Sequence, residues 1–242
     1  MNIAIIGYGK MGYTIEQLAR QRGHQIGLII DQDNTTDLNA NNLKSIDVAI
    51  EFSTPETAYD NYMTCFENNI PVVSGTTGWM ALYDKLTTYC KAHNQTFFYA
   101  SNFSLGVNLF FKLNSFLAKM MQHFPEYNIR LDETHHIHKL DAPSGTAITL
   151  ANDILSYAKQ YSSWQLNTDQ ENKKLPVYAH REGETIGTHS IQYHSAVDTI
   201  TIEHKAHNRD GFALGAVMAA EFIENKTGCF SMDDLLQSFK IF

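Results

Sequence analysis

With 242 residues, 43% of them hydrophobic and 18% charged, the chain has the makings of one large α/β domain or two smaller ones. Its formal net charge of −8 argues against a nucleic-acid partner, and no stretch approaches the roughly 20 apolar residues of a membrane span. Three scattered cysteines, Cys65, Cys90 and Cys229, form no CxxC pair, which fits a reducing, cytoplasmic setting better than a disulfide framework.

Met1 to Ile6 is a short β-branched run, expected as a strand buried on both faces. It stops at Gly7, too early for a secretory signal, and leads into Gly7-Tyr8-Gly9-Lys10-Met11-Gly12. A helix is expected over Met11 to Arg22, with Gly23 as its stop. Gln25 to Ile30 reads as a second strand ending at Asp31, and Ile46 to Phe52 as a third. Thr54-Pro55-Glu56 opens the next helix with a hydroxyl, a first-turn proline and an acid. Then come a strand at Ile70 to Ser74, the turn Gly75-Thr76-Thr77-Gly78, and a helix from Trp79 to His93. A fifth strand, Thr96 to Tyr99, runs into Ala100-Ser101-Asn102-Phe103. Strands alternating with helices at this spacing predict a parallel, doubly wound sheet, a Rossmann arrangement.

A GxGxxG pattern alone is weak, but its place here strengthens it. Its first glycine closes a strand, its last lies inside the opening helix, and Asp31 ends the following strand. The glycines let backbone approach a pyrophosphate at the helix N-terminus, and the carboxylate can accept from ribose hydroxyls. Gly7, Tyr8, Gly9, Lys10, Met11, Gly12 and Asp31 are therefore candidate dinucleotide contacts. Ligands bind outside the carboxyl ends of parallel strands, so Phe52, Gly75, Thr76, Thr77, Ala100, Ser101, Asn102 and Phe103 join them.

The middle of the chain changes character. A long apolar and aromatic helix is expected over Val107 to Phe124, and another from Thr146 to Tyr161. Tyr127 to Asp132, Val177 to Arg181, His189 to His194 and Thr199 to His204 alternate like half-buried, antiparallel strands. The polar stretch Ser162 to Lys174 reads as a flexible connection, and Asp210 to Lys226 as a helix with Ala and Gly on one face. The expectation is an α/β chain: a dinucleotide-binding domain of 1–103 and 209–242, with an α+β substrate domain of 104–208 inserted.

The chemistry concentrates in Glu133 to Ala147, ETHHIHKLDAPSGTA. Histidine exchanges protons near neutral pH, lysine supplies a positive charge or a proton, and Pro-Ser-Gly-Thr presents amides and hydroxyls at a helix start. A small anionic substrate beside His and Lys is the natural reading. The rival is a solvated polar loop. His135, His136 and His138 are too closely spaced for a helical HxxxH pair, and no spacing singles out His180, His189, His194, His204 or His207, so no metal is expected.

This segment resembles the signature of the dihydrodipicolinate reductase family: an acid, two adjacent histidines, a lysine three residues later, then D-x-P-S-G-T-A. The resemblance extends to GYGKMG, SGTTG, SNFSLGVN, REGETIGTHSI and HKAHNRDGFALGA, nearly the whole chain. It implies a Rossmann domain and a substrate domain whose open mixed sheet builds a homotetramer, with hinges at Phe103 to Leu105 and His207 to Asp210. It implies that His135 is the proton donor/acceptor and Lys139 the proton donor. His136, Ser144, Gly145 and Thr146 match the substrate-binding part of the motif, two backbone amides gripping a carboxylate of a small dicarboxylate. The implied reaction is reduction of the cyclic 4-hydroxy-tetrahydrodipicolinate at C4 with loss of water, using NADH or NADPH. Several family members carry an arginine after the ribose-binding acid; here Gln32 follows Asp31, which favours NADH, while Lys10 keeps NADPH open. The competing functions are another Rossmann oxidoreductase of small acids and a non-catalytic dinucleotide-binding protein.

Overall fold

A computed structural model describes residues 1–168 and 173–239. Its contacts divide into two compact units, Met1–Leu105 with Asp210–Phe242, and Gly106–Arg209.

In the first unit the β-branched runs form β1 (Asn2–Ile6), β2 (Gln25–Ile30), β3 (Val48–Glu51), β4 (Val72–Ser74) and β5 (Thr96–Tyr99). Helices α1 (Lys10–Gln21), α2 (Ala40–Leu43), α3 (Pro55–Glu67) and α4 (Tyr83–Ala92) connect them. Every pairing is parallel, because each strand is followed by a crossover rather than a hairpin. The Trp79 to His93 expectation splits: Met80–Leu82 is a single 3₁₀ turn before α4.

Alternate strand residues feed two cores. Ile3, Ile5, Val48, Ile50, Val73 and Phe98 pack on one face, and Ala4, Ile6, Ala49, Val72 and Phe97 on the other. This two-sided burial is why the strands read as continuous apolar runs.

The second unit opens with α5 (Leu105–Met121), followed by β6 (Asn128–His135), α6 (Gly145–Tyr157), β7 (Ser163–Leu166), β8 (Lys174–Arg181), β9 (Gly187–His194) and β10 (Thr199–Ala206). The strand order is β10-β9-β6-β8-β7. One face carries Ile129, Leu131, Val177, Ile191 and Tyr193 against α5 and α6.

Two expectations need correction here. Alternation suggested antiparallel strands, but the sheet is mixed, as the resemblance implied: β6 pairs antiparallel with β9 and parallel with β8, because α6 carries the chain back before β8 begins. The stretch Ser162 to Lys174 is not merely a connection. Ser163–Leu166 pairs in parallel with β8, and Trp164 and Leu166 pack against the core. Residues 169–172 of that stretch, and 240–242 of the C-terminal segment, lie outside the described residues.

The chain returns to the first unit as α7 (Asp210–Ile223), β11 (Gly228–Phe230) and α8 (Met232–Ser238). The small residues Ala213, Ala216, Ala219 and Ala220 of α7 are fully buried against the first core. β11 extends the parallel sheet beyond β5, giving the order β11-β5-β4-β3-β1-β2. No described helix is long and apolar enough to cross a membrane.

Candidate active site

In the first unit the glycine motif forms the β1–α1 turn. Gly7 takes φ +91°, a left-handed conformation that costs glycine little, and a Cβ on Gly12 would stand 2.3 Å from the Gly7 carbonyl oxygen. Gly9 caps α1 with open space where a Cβ would be, and the first turn holds no acid. Those helix amides are free to face an anion.

A cavity of about 530 Å³ gathers Gly7, Gly9, Asp31, Gln32, Phe52 and Thr54 along its wall. Asp31 is exposed, and one of its carboxylate oxygens accepts from the Gln32 amide at 2.9 Å. The other predicted contacts stand beside this cavity or away from it. Gly75 leaves room for the Phe52 ring, whose centroid is 5.6 Å from that of Phe103. Thr76 and Ala100 are buried, Thr77 and Ser101 exposed, and the Asn102 side chain accepts from the Ser104 amide at 2.9 Å. Lys10 is exposed, Met11 packs on the core, and Tyr8 gives its hydroxyl hydrogen to Glu16.

Glu51, which the sequence reading passed over, is fully buried at the end of β3. Its carboxyl oxygens accept from the Ser53 amide at 3.0 Å, Ser74 Oγ at 2.8 Å and Thr76 Oγ1 at 2.9 Å, so one side chain ties the turns after β3 and β4 together.

In the second unit β6 delivers Glu133 and His135 to the buried face of the sheet by the two-residue strand period. The chain then turns through His136 to Asp141 and a cis Ala142–Pro143 bond into α6. Ser144 caps that helix, its Oγ accepting from the Ala147 amide at 3.2 Å. The amides of Gly145 and Thr146 are the first two of the helix, for which the helix itself provides no acceptor. A Cβ on Gly145 would meet nothing within 4 Å, and no acid occupies the first turn. The start of α6 is therefore open at Gly145, with no acid to occupy its first amides.

Around this turn lie three groups to which the sequence reading gave no role. Glu133 is fully buried and accepts from the Ser144 amide at 3.0 and 3.1 Å. Arg181, at the end of β8, donates to the carbonyls of Lys139 at 3.2 Å and Asp141 at 2.7 Å, with Nη1 3.6 Å from Glu133 Oε1. His189 Nε2 lies 3.2 Å from Ser144 Oγ and 3.6 Å from Glu133 Oε2. The acid opening the motif was the available signal for Glu133; Arg181 and His189 converge only through strand pairing.

Burial pushes the Glu133 carboxyl up, but hydrogen bonds from His189 and Ser144 outweigh it and hold the group down at about 2. Burial pushes the His135 imidazole down, against the pull of Glu133, to about 4. At neutral pH the pair is thus a carboxylate beside a neutral imidazole. Lys139 Nζ binds both oxygens of Asp141, at 2.8 and 2.9 Å. His136 is half-buried, with its Nδ1 lacking a hydrogen-bond partner. Glu133, His135 and His189 also bring one metal-ligating atom each within 4.8 Å of one another.

Comparison with known proteins covers both units. Residues 1–103 match the family described as dihydrodipicolinate reductase, N-terminus, and residues 106–236 match dihydrodipicolinate reductase, C-terminus. The chain is 51% identical over 237 residues to 4-hydroxy-tetrahydrodipicolinate reductase of Christiangramia forsetii, covering 98% of both chains. It is 33% identical to the enzyme of that name from Staphylococcus haemolyticus, covering 97% of this chain and all of that one. The fold is that of a dipicolinate-bound dihydrodipicolinate reductase from Paenisporosarcina, with TM-score 0.78 at 23% identity over 96% and 97% of the two chains.

Proposed function

The chain belongs to the dihydrodipicolinate reductase family, and from that premise we propose how its own residues carry the activity of a 4-hydroxy-tetrahydrodipicolinate reductase. The reaction reduces C4 of the cyclic 4-hydroxy dicarboxylate and releases its hydroxyl as water, giving tetrahydrodipicolinate. The observation that carries the reading is the helix start at Gly145 and Thr146, fastened through the Ser144 amide to Glu133, two residues before His135.

The family binds a nicotinamide dinucleotide, and the first unit fits one: an open, acid-free helix start at Gly9, a cavity of about 530 Å³, and Asp31 on its wall. The reduced dinucleotide supplies the hydride. Gly7 to Gly12 would hold its pyrophosphate, and Asp31 its ribose hydroxyls. Asp31 and Asp60 both line the cavity and, among the described residues, no lysine or arginine does, which disfavours a 2′-phosphate and supports NADH as the preferred cofactor.

In the second unit the Gly145 and Thr146 amides take one substrate carboxylate, with the positive end of α6 behind them. His136 contacts the same ligand. Lys139 gives the proton that leaves with the hydroxyl as water, and Asp141 holds its ammonium until substrate arrives. His135, neutral at neutral pH, polarises the reacting group through its ring rather than arriving as an imidazolium. A substrate of this class has a bound counterpart in the relative from Paenisporosarcina, whose structure is named as dipicolinate-bound.

We further infer a cytoplasmic homotetramer assembled on the open sheet face bearing Arg130, Asp132 and His180, a polar surface with His180 Nε2 3.0 Å from Asp132. Light scattering gives a tetramer mass if this is right and a monomer mass if it is wrong. Side-by-side kinetics with NADH and NADPH test the cofactor: a kcat/KM favouring NADPH by about tenfold overturns the preference.

A further inference from the structure

Three side chains of the second unit converge on one point, each with a metal-ligating atom within 4.8 Å of the others. Glu133 Oε2 lies 3.4 Å from His135 Nδ1 and 3.6 Å from His189 Nε2. A tetrahedral zinc site with bonds of about 2.0–2.1 Å sets its ligand atoms roughly 3.3–3.4 Å apart. Two edges of the triangle are therefore within a few tenths of an ångström of that spacing, a shift that side-chain rotation supplies.

His135 is only 8% exposed, and its Nδ1 is buried without a hydrogen-bond partner. A buried polar atom left in that state is costly, which a ligand at Nδ1 would relieve. Glu133 is anchored from behind, since the Ser144 amide donates to Oε1 at 3.0 Å and to Oε2 at 3.1 Å. Ligand carboxylates in metal sites are commonly oriented by such outer hydrogen bonds.

We propose that Glu133 Oε2, His135 Nδ1 and His189 Nε2 form an inhibitory site for Zn²⁺, with a fourth position open to water or to a carboxylate ligand. Two imidazoles and one carboxylate are the donor set of open zinc centres, whereas Mg²⁺ and Ca²⁺ take shells of oxygens. Arg181, with Nη1 3.6 Å from Glu133 Oε1, repels the ion and keeps binding reversible. An ion so placed locks the His135 ring, so turnover stops; this consequence rests on the role proposed for His135, while binding itself does not.

Cobalt(II) as a stand-in reads the site without turnover. Titration of the intact protein is expected to give one equivalent of bound Co²⁺ with the intense visible absorption of a four-coordinate centre, displaced by Zn²⁺ and abolished in His189→Gln. Far-UV circular dichroism and NADH titration check that the variant is folded. Micromolar Zn²⁺ is expected to inhibit the wild-type enzyme, EDTA to restore it, and Mg²⁺ to do nothing. His189→Gln is expected to need at least about tenfold more Zn²⁺ for half-inhibition of its own activity. No bound Co²⁺, a six-coordinate spectrum, or a folded His189→Gln with unchanged Co²⁺ binding overturns the site. Bound Co²⁺ with undiminished turnover overturns the inhibitory role alone.

Discussion

The backbone amide of Ser144 donates to both oxygens of the Glu133 carboxylate, at 3.0 and 3.1 Å. That contact fastens the end of β6 to the start of α6, so His135 and the Gly145–Thr146 amides share one anchor. Glu133→Gln preserves the shape and removes the charge, replacing one acceptor oxygen by an NH₂ donor. kcat/KM for the dicarboxylate is expected to fall by about 10–100-fold with NADH affinity unchanged. Steady-state kinetics beside an NADH titration check this; a wild-type kcat/KM would dismiss the anchor.

Lys139 and His135 have separate proposed roles that truncation can expose. Each alanine variant is expected to lose about 10²–10⁴-fold in kcat. Neither should alter the far-UV circular dichroism or the dinucleotide affinity, because both side chains belong to the second unit. Near-normal turnover in both variants would remove the assignment.

Gly12 is sized by the Gly7 carbonyl, which an added Cβ would approach to 2.3 Å, with Ile5 Cγ2 at 3.3 Å. The obstacle is backbone, so the turn itself must move. Gly12→Ala is expected to destabilise the protein by about 1–3 kcal/mol and to weaken NADH binding more than substrate-analogue binding. Urea unfolding and fluorescence titration read the two effects, and an unperturbed NADH affinity would count against this turn as the pyrophosphate site.

Glu221 on α7 takes two hydrogen bonds from Arg22 just after α1, at 2.7 and 2.8 Å, and one contact with His24 at 2.8 Å. The Arg22 hydrogen bonds, opposed by burial, lower its carboxyl below the usual range. A lowered carboxylate contributes stability that is present above the unfolded pKa, about 4.3, and is lost as pH falls through the folded value. Glu221→Gln is therefore expected to cost about 0.5–1 kcal/mol at neutral pH and nothing once the wild-type group is protonated. A pH-independent difference between the two unfolding curves would refute the linkage.

The first unit was readable because its local rules agree. β1 to β5 are continuous apolar runs, helix starts carry Gly9 or Thr54-Pro55, and the cofactor turns follow strand ends. β11 escaped notice because three residues, Gly228 to Phe230, are too short for a period. β7 escaped because Trp164 and Leu166 stand in an otherwise polar stretch. At the site, the segment from His135 to Thr146 announced itself through adjacency. Glu51, Arg181 and His189 did not, since their partners lie far along the chain and meet them only through sheet pairing and the turns at the strand ends.

The most direct measurement is a stoichiometric one: purified protein, NADH and the cyclic 4-hydroxy dicarboxylate, with cofactor oxidation followed optically and the product identified by mass. One NADH oxidised for each tetrahydrodipicolinate formed, with the reaction lost in Lys139→Ala, is the expected result. NADH left unoxidised by a folded protein that still binds it would contradict the reductase activity.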